Sequence, residues 1–170
     1  MKAEQSYIKA TELLAKARSD KGFLASASDI TNYKRVWARD GVICGLAALL
    51  DGDESLVETF KNTLITLADN QHKHGHIPSN VFFNDENKVE VSFGGLAGRV
   101  DTISWFIIGV CNYASLTKNI NFAEELKPKM NKGLQLLEAW EFNNNHLIYV
   151  PRSGNWADEY INEEIGRAHV

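Results

Sequence analysis

The helices of this chain alternate in kind, and that alternation constrains its fold more than any other feature. Five stretches carry the helical period. The first, about Ala3 to Arg18, sets Ile8, Leu13 and Leu14 among Lys and Glu. The second, about Gly41 to Leu50, runs Val42-Ile43-Cys44-Gly45-Leu46-Ala47-Ala48-Leu49-Leu50 and is apolar all round. The third, Glu54 to Asn70, places Leu56, Val57, Phe60, Leu64 and Leu67 on one stripe. The fourth, Thr102 to Leu116, is again apolar on every face, with Ile103, Trp105, Phe106, Ile107, Ile108, Val110, Cys111 and Tyr113. The fifth, Phe122 to Trp140, lines up Phe122, Leu126, Met130, Leu134 and Leu137. A helix with one wet face belongs to an outer layer, and a helix apolar on all sides must be buried on all sides. The order outer, inner, outer, inner, outer predicts an all-α chain forming part of an α/α toroid. An irregular bundle around two central helices fits the same pattern. Strands are a minor component: Lys88 to Phe93 and His146 to Val150 alternate as short hairpin insertions, with Asn84-Asp85-Glu86-Asn87 as a polar turn.

A twelve-helix toroid of such helices needs roughly 300 residues or more, so 170 residues hold a little under half of one. The last residues, Ile165-Gly166-Arg167-Ala168-His169-Val170, read as a translated sequencing adapter. The expectation is therefore that residues 1–163 are the N-terminal part of one catalytic domain and that 165–170 are a non-native tail, excluded from fold reasoning. Half a toroid would leave apolar inner-helix surface uncovered and prone to association.

Polar residues that a plain surface does not explain gather just before the apolar helices. Tyr33-Lys34-Arg35-Val36-Trp37-Ala38-Arg39-Asp40-Gly41 precedes the second, and Gly94-Gly95-Leu96-Ala97-Gly98-Arg99-Val100-Asp101 the fourth. Arg152-Ser153-Gly154-Asn155-Trp156-Ala157-Asp158-Glu159-Tyr160 stands where a third inner helix would begin. In a toroid the inner-helix N-termini open on one rim, so three distant segments would line one funnel. Carboxylates for chemistry and hydroxyl binding, with flat indole rings for sugar faces, equip such a funnel for carbohydrate.

These residues also carry a resemblance. Val36-Trp37-Ala38-Arg39-Asp40-Gly41 resembles the W-x-R-D segment of (α/α)6-barrel glycoside hydrolases, a group that includes glucoamylases, the amylo-α-1,6-glucosidase part of glycogen debranching enzymes, and neutral/alkaline invertases. Arg99-Val100-Asp101-Thr102-Ile103-Ser104-Trp105 is similar to their V-D-[AS]-x-x-W segment, Gly75-His76-Ile77-Pro78-Ser79 to their G-x-I-P loop, and Asn155-Trp156-Ala157-Asp158-Glu159 to their later W-x-D segment. The four stand in family order from about Phe23 to Tyr160. The resemblance implies a partial (α/α)6 barrel and two-carboxylate hydrolysis, first of all of an α-glucan or oligosaccharide, with sucrose as the alternative. It implies Asp101 as the general acid. Arg39 and Asp40 would hold sugar hydroxyls, with Trp37, Arg99, Trp105, Trp156, Asp158 and Glu159 lining the pocket. No position matches the partner carboxylate, the general base. A non-catalytic helical module that binds sugar or protein is the reading from another class.

The chemistry sets its own condition. One of the two carboxyls must stay protonated near neutral pH, through burial or a neighbouring negative charge. Asp101 reads as the N-cap of the fourth helix, two residues from Arg99, and both features lower its pKa. Burial against Trp105, or Asp158 nearby, must win if it is the acid; otherwise it is a cap. Arg39 and Asp40 also read as a buried ion pair, Trp37 and Trp156 as core, and Asp158 and Glu159 as a solvated first turn. His72, His74 and His76 tempt a metal reading, but the partners of a zinc site are missing and Lys73 opposes a cation, so a solvated loop is expected and no metal. Asp51-Gly52-Asp53-Glu54-Ser55 lacks the remaining ligands of a calcium loop and reads as a turn. Gly94-Gly95-Leu96-Ala97-Gly98 lacks the Lys-Ser/Thr of a phosphate loop, so no cofactor is expected.

Composition narrows the rest. Forty-four per cent hydrophobic residues with 24% charged exclude a disordered chain. Eighteen Lys and Arg against 22 Asp and Glu give a net charge of −4, no footing for nucleic acid. No apolar run reaches the ~20 residues of a membrane span. Without a secretory leader, and with Cys44 and Cys111 inside apolar helices, a cytoplasmic setting is expected.

Overall fold

The structure, a computed structural model, describes residues 2–28, 33–84, 88–95, 98–141, 144–151 and 154. It is mostly helical: α1 (Lys2–Lys16), α2 (Ala38–Asp51), α3 (Glu54–Asp69), α4 (Asp101–Thr117) and α5 (Ile120–Trp140). Two small sheets accompany them. Strands β1 (Arg18–Ser19) and β2 (Gly22–Phe23) form a two-stranded hairpin. Strands β3 (Val36–Trp37), β4 (Asn80–Phe83) and β5 (Val89–Ser92) form an antiparallel sheet in that order, with Val36 opposite Val81 and Trp37 opposite Asn80. Among the described residues no helix is long and apolar enough to cross a membrane.

All five expected helices form, and their ends have local causes. Gly52 closes α2 in the left-handed conformation, with its N–H donating to the Ala48 carbonyl. The Asp53 carboxylate then caps α3, accepting the N–H groups of Ser55 (2.9 Å) and Leu56 (3.0 Å). Bonds from Ser55 and Leu56 hold the Asp53 carboxyl below its ordinary pKa. The acidic turn at 51–55 is thus a helix boundary. Asn119 caps α5 in the same way through Phe122 N–H, at 3.2 Å.

Helix α2 packs against α3 and α4, and α5 packs against α4. The shared core contains Phe23, Val42, Phe60, Leu64, Leu67, Ile77, Ile103, Phe106 and Val110, all essentially inaccessible. Gly45 makes the α2–α3 approach possible. A Cβ there would lie 1.9 Å from the Phe60 ring, so the ring occupies the space of the absent side chain.

Four expectations are corrected. First, α1 has no buried residue and leaves Ile8 and Leu13 exposed. Leu14 touches the core, and the Tyr7 hydroxyl bonds Asp51. Second, the inner face of α5 is set by Phe122, Leu126, Met130, Gly133 and Leu137. Leu134 points outward, because Gly133 is the residue laid against Ile103 of α4. Third, α2 and α4 are not covered on every side: Ile43, Ala47 and Leu50 of α2, and Ile108, Cys111 and Leu116 of α4, are exposed, Leu50 at 84%. Fourth, the segment from His146 to Val150 contributes only an isolated bridge, Ile148 to Glu141.

Candidate active site

The site is built where the N-termini of α2 and α4 meet one loop. The N–H of Ala38, at the start of α2, donates to the Ser79 carbonyl at 3.0 Å. At the start of α4, the Thr102 hydroxyl lies 2.8 Å from the Ile77 carbonyl and 2.9 Å from that of Arg99. Two carbonyls, one on each side of Pro78, therefore hold two helix starts in fixed relation. Ser79 N–H in turn donates to Ser92 of β5 at 2.7 Å, which anchors the loop to the sheet. Ile77, Ser79 and Thr102 are all buried. Three of the segments singled out in the sequence thus converge, although Ala38 and Thr102 are 64 positions apart. The fourth is approached through Val100 N–H, which donates to the Gly154 carbonyl at 2.7 Å. Trp156, Asp158 and Glu159 lie outside the described residues.

Asp101 is the first residue of α4. Its cap position is taken by Val100, so the expected role as N-cap is corrected: the carboxyl stands inside the first turn. Burial raises its pKa above the ordinary carboxylate value. The Arg99 and Arg39 guanidiniums, and the N–H groups of Asp101 and Thr102, pull the other way without overcoming it. The conflict seen in the sequence is decided for burial. Atom Oδ1 is buried and has no hydrogen-bond partner among the described residues. A buried polar atom in that state is uncommon.

Arg39 and Asp40 follow in the first turn of α2. Their Nη2 and Oδ2 atoms are 3.6 Å apart, and each side chain is about one-third exposed, at 33% and 35%. They are therefore not a fully buried pair, and both reach solvent. The Arg39 charge acts on Asp101, and the Asp40 charge adds to the burial that raises the Cys44 thiol. Trp37 is half-buried at the end of β3 and stacks on Tyr33, with ring centroids 6.0 Å apart and planes 28° from parallel. Trp105, one turn beyond Asp101, is half-buried against the core. Arg99 is fixed through its own N–H to the Phe93 carbonyl at 2.9 Å.

The loop histidines are packed more closely than a solvated loop would be. His72 and His76 meet edge-on, 6.1 Å apart, and both face Phe93; His76 also meets Trp140 at 5.7 Å. His74 alone is exposed. Gly98 has φ +75°, and a Cβ on it would lie 2.6 Å from the His76 ring. The residue leading into Arg99 must therefore be a glycine. Among the described residues no three His, Cys, Asp or Glu side chains gather to hold a metal ion. Thr102 and Tyr33, which contact this candidate site, were not singled out from the sequence. The Thr directly after Asp101 was the signal for the first, and an aromatic four residues before Trp37 for the second.

A family model described as alkaline and neutral invertase matches residues 9–162. The chain belongs to this family. It is glycoside hydrolase family 100, so the chain carries a glycosidase domain of carbohydrate metabolism. The match supports the invertase branch of the wider group that the motifs resemble, and not the finer glucoamylase or debranching readings. No curated protein matches the chain.

Proposed function

We propose that this chain carries the acid side of a sucrose-hydrolysing site, with Asp101 as general acid. The observation that supports it is the Asp101 carboxyl itself. It is half-buried and biased towards its protonated form, and its buried Oδ1 has no partner among the described residues, at the junction of three family-like segments. In this reading Asp101 gives its proton to the oxygen joining glucose to fructose as that bond breaks. A second carboxylate takes a proton from the attacking water. Arg39 and Asp40, polar and half-open on the adjacent helix start, hold sugar hydroxyls. The stacked Trp37 and Tyr33 rings offer a flat face, and Arg99 and Trp105 complete the described wall. Trp156, Asp158 and Glu159 are assigned to the remaining wall on sequence alone. The two free thiols, Cys44 and Cys111, suit a reducing cytoplasm.

The architecture proposed with it is a partial (α/α)6 toroid. Helices α2 and α4 are neighbouring inner helices, and α3 and α5 belong to the outer layer; the packing of α2 on α3 and α4, and of α5 on α4, supports this. The base is assigned to no residue of this chain. We therefore expect no turnover from residues 1–170 alone, and measurable sucrose hydrolysis by them would overturn the two-carboxylate assignment. In a polypeptide that holds this domain together with its base, Asp101→Asn should lower sucrose hydrolysis by about 10²–10⁴-fold, and an unchanged rate would make Asp101 structural. The same assay on maltose, isomaltose and a limit dextrin decides the sugar, since faster turnover of an α-glucan would displace sucrose.

A further inference from the structure

We propose that two adjoining recesses beneath the β1–β2 hairpin form a binding site for a phosphorylated sugar. Nothing in the invertase reading requires such a site, and none of its residues belongs to the Asp101 site. The first recess, about 340 Å³, lies between the hairpin and the β3–β4 pair. Its rim carries Lys21, Lys34 and Arg35, and Asp20 is the carboxylate that lines it. Its floor is apolar, formed by Leu24, the buried Val36 and Val81, and Phe82 and Phe83. The second recess, about 350 Å³, shares Asp20, Lys21 and Phe83 with the first and adds Asn62, Thr66, Asp69 and Asn70. Each volume falls within the range of about 300–1,000 Å³ usual for small-molecule sites.

The chemistry differs across the shared Phe83. On one side three cations converge, in a chain whose net charge is −4. The low-dielectric floor strengthens their field on an anion above it. Two of them are pre-organised by aromatic faces: Lys21 Nζ stands 5.4 Å from the Phe83 centroid and the Arg35 guanidinium 4.9 Å from that of Phe82. Arg35 is also held by Asn80 Oδ1 (3.3 Å) and by Glu90 (3.8 Å), and Lys21 by Asp20 (3.1 Å), so an anion over the floor shares these cations with their carboxylates. On the other side stand amides and a carboxylate, the groups that bind vicinal hydroxyls. Between them lies a flat ring of the kind that packs under a pyranose. The Thr66 hydroxyl donates to the Lys21 carbonyl at 2.7 Å and fixes the backbone where the two recesses meet. A phosphate monoester dianion on a hexose has this arrangement: charge at one end, an apolar ring face, hydroxyls at the other. Asp20, 81% exposed and paired with Lys21 at 3.1 Å, opposes the anion and is free to swing away into solvent.

Equilibrium dialysis of the 170-residue chain at low micromolar concentration tests this, with glucose 6-phosphate, glucose and inorganic phosphate as probes. The sugar phosphate should bind saturably and at least about tenfold more tightly than either part. Lys34→Ala and Lys21→Ala should each weaken it about tenfold, as loss of one charge-assisted bond does, and Asp20→Asn should tighten it. Phe83→Leu should erase the preference over inorganic phosphate. Lys34 and Asp20 are exposed, so their variants test the site without disturbing the core. Absence of saturable binding, equal affinity for inorganic phosphate, or unchanged affinity in Lys34→Ala would each overturn the proposal. A null result here leaves the sucrose reading intact, because that reading is tested at Asp101.

Discussion

At the scale of single residues, Asp101 links chemistry to stability. Its folded pKa is raised by burial, so the folded state disfavours the ionised form. A group of this sign contributes most below its unfolded pKa, and the contribution is lost as pH rises through the folded pKa. The wild-type chain should therefore lose stability as pH rises from about 4 towards neutrality, relative to Asp101→Asn, which has no proton to release. Thermal melts of both proteins across that range check this; a gap that stays constant or reverses would mean burial does not dominate at Asp101. Thr102 has a different role. Its hydroxyl reaches the Ile77 carbonyl from inside the core. Thr102→Val keeps the shape and leaves that carbonyl unpaired, which should cost about 1–3 kcal/mol in urea unfolding. Asp101 was legible in the sequence as a candidate, because Arg-Val-Asp opens an apolar helix. Its pKa was not, because burial depends on contacts distant in sequence, such as the Ile77 carbonyl that holds Thr102 at the start of α4.

Among the elements, helices were read well and short strands poorly, for one physical reason. Fourteen to twenty-one residues display a period, and the two residues of β1, β2 or β3 do not. The hairpin of β1 and β2 is held from outside itself, by Phe23 N–H on the Thr63 hydroxyl (2.9 Å) and by Thr66 on Lys21. Thr59, Thr63 and Thr66 are buried along α3, and nothing in their spacing announces a strand partner. Glycines were similarly silent. Gly45 looks like a weak point in a helix, where Ala would gain about 1 kcal/mol of propensity. The Phe60 ring reverses that sign, since a methyl would meet it at 1.9 Å. Gly45→Ala should therefore destabilise the chain by about 1–3 kcal/mol, and Phe60→Leu in the same molecule should recover part of the loss. If Gly45→Ala stabilises on its own, the α2–α3 interface is looser than described.

For the whole molecule, the decisive feature is where the uncovered apolar surface begins. On α2 the sequence of positions Asp40, Ile43, Ala47 and Leu50 advances by three or four residues, which keeps them on one face. On α4 the positions Asp101, Ser104, Ile108 and Cys111 do the same. Each exposed stripe thus continues from a candidate site residue, on two helices that pack against each other. Such a surface is expected to bind a hydrophobic dye and to draw chains together as concentration rises. Replacing Ile43, Leu50 and Ile108 by Ser, Gln and Ser should reduce dye binding and shift sedimentation towards the monomer. It should leave the melting temperature within a few degrees, because all three side chains are exposed and none belongs to the buried core. The Asp101 stability profile should be unchanged in that triple variant, since none of the three residues contributes to the shift at Asp101. If instead the variant unfolds, the stripes are packed surfaces within the folded chain, and the continuity between site and open face is lost with them.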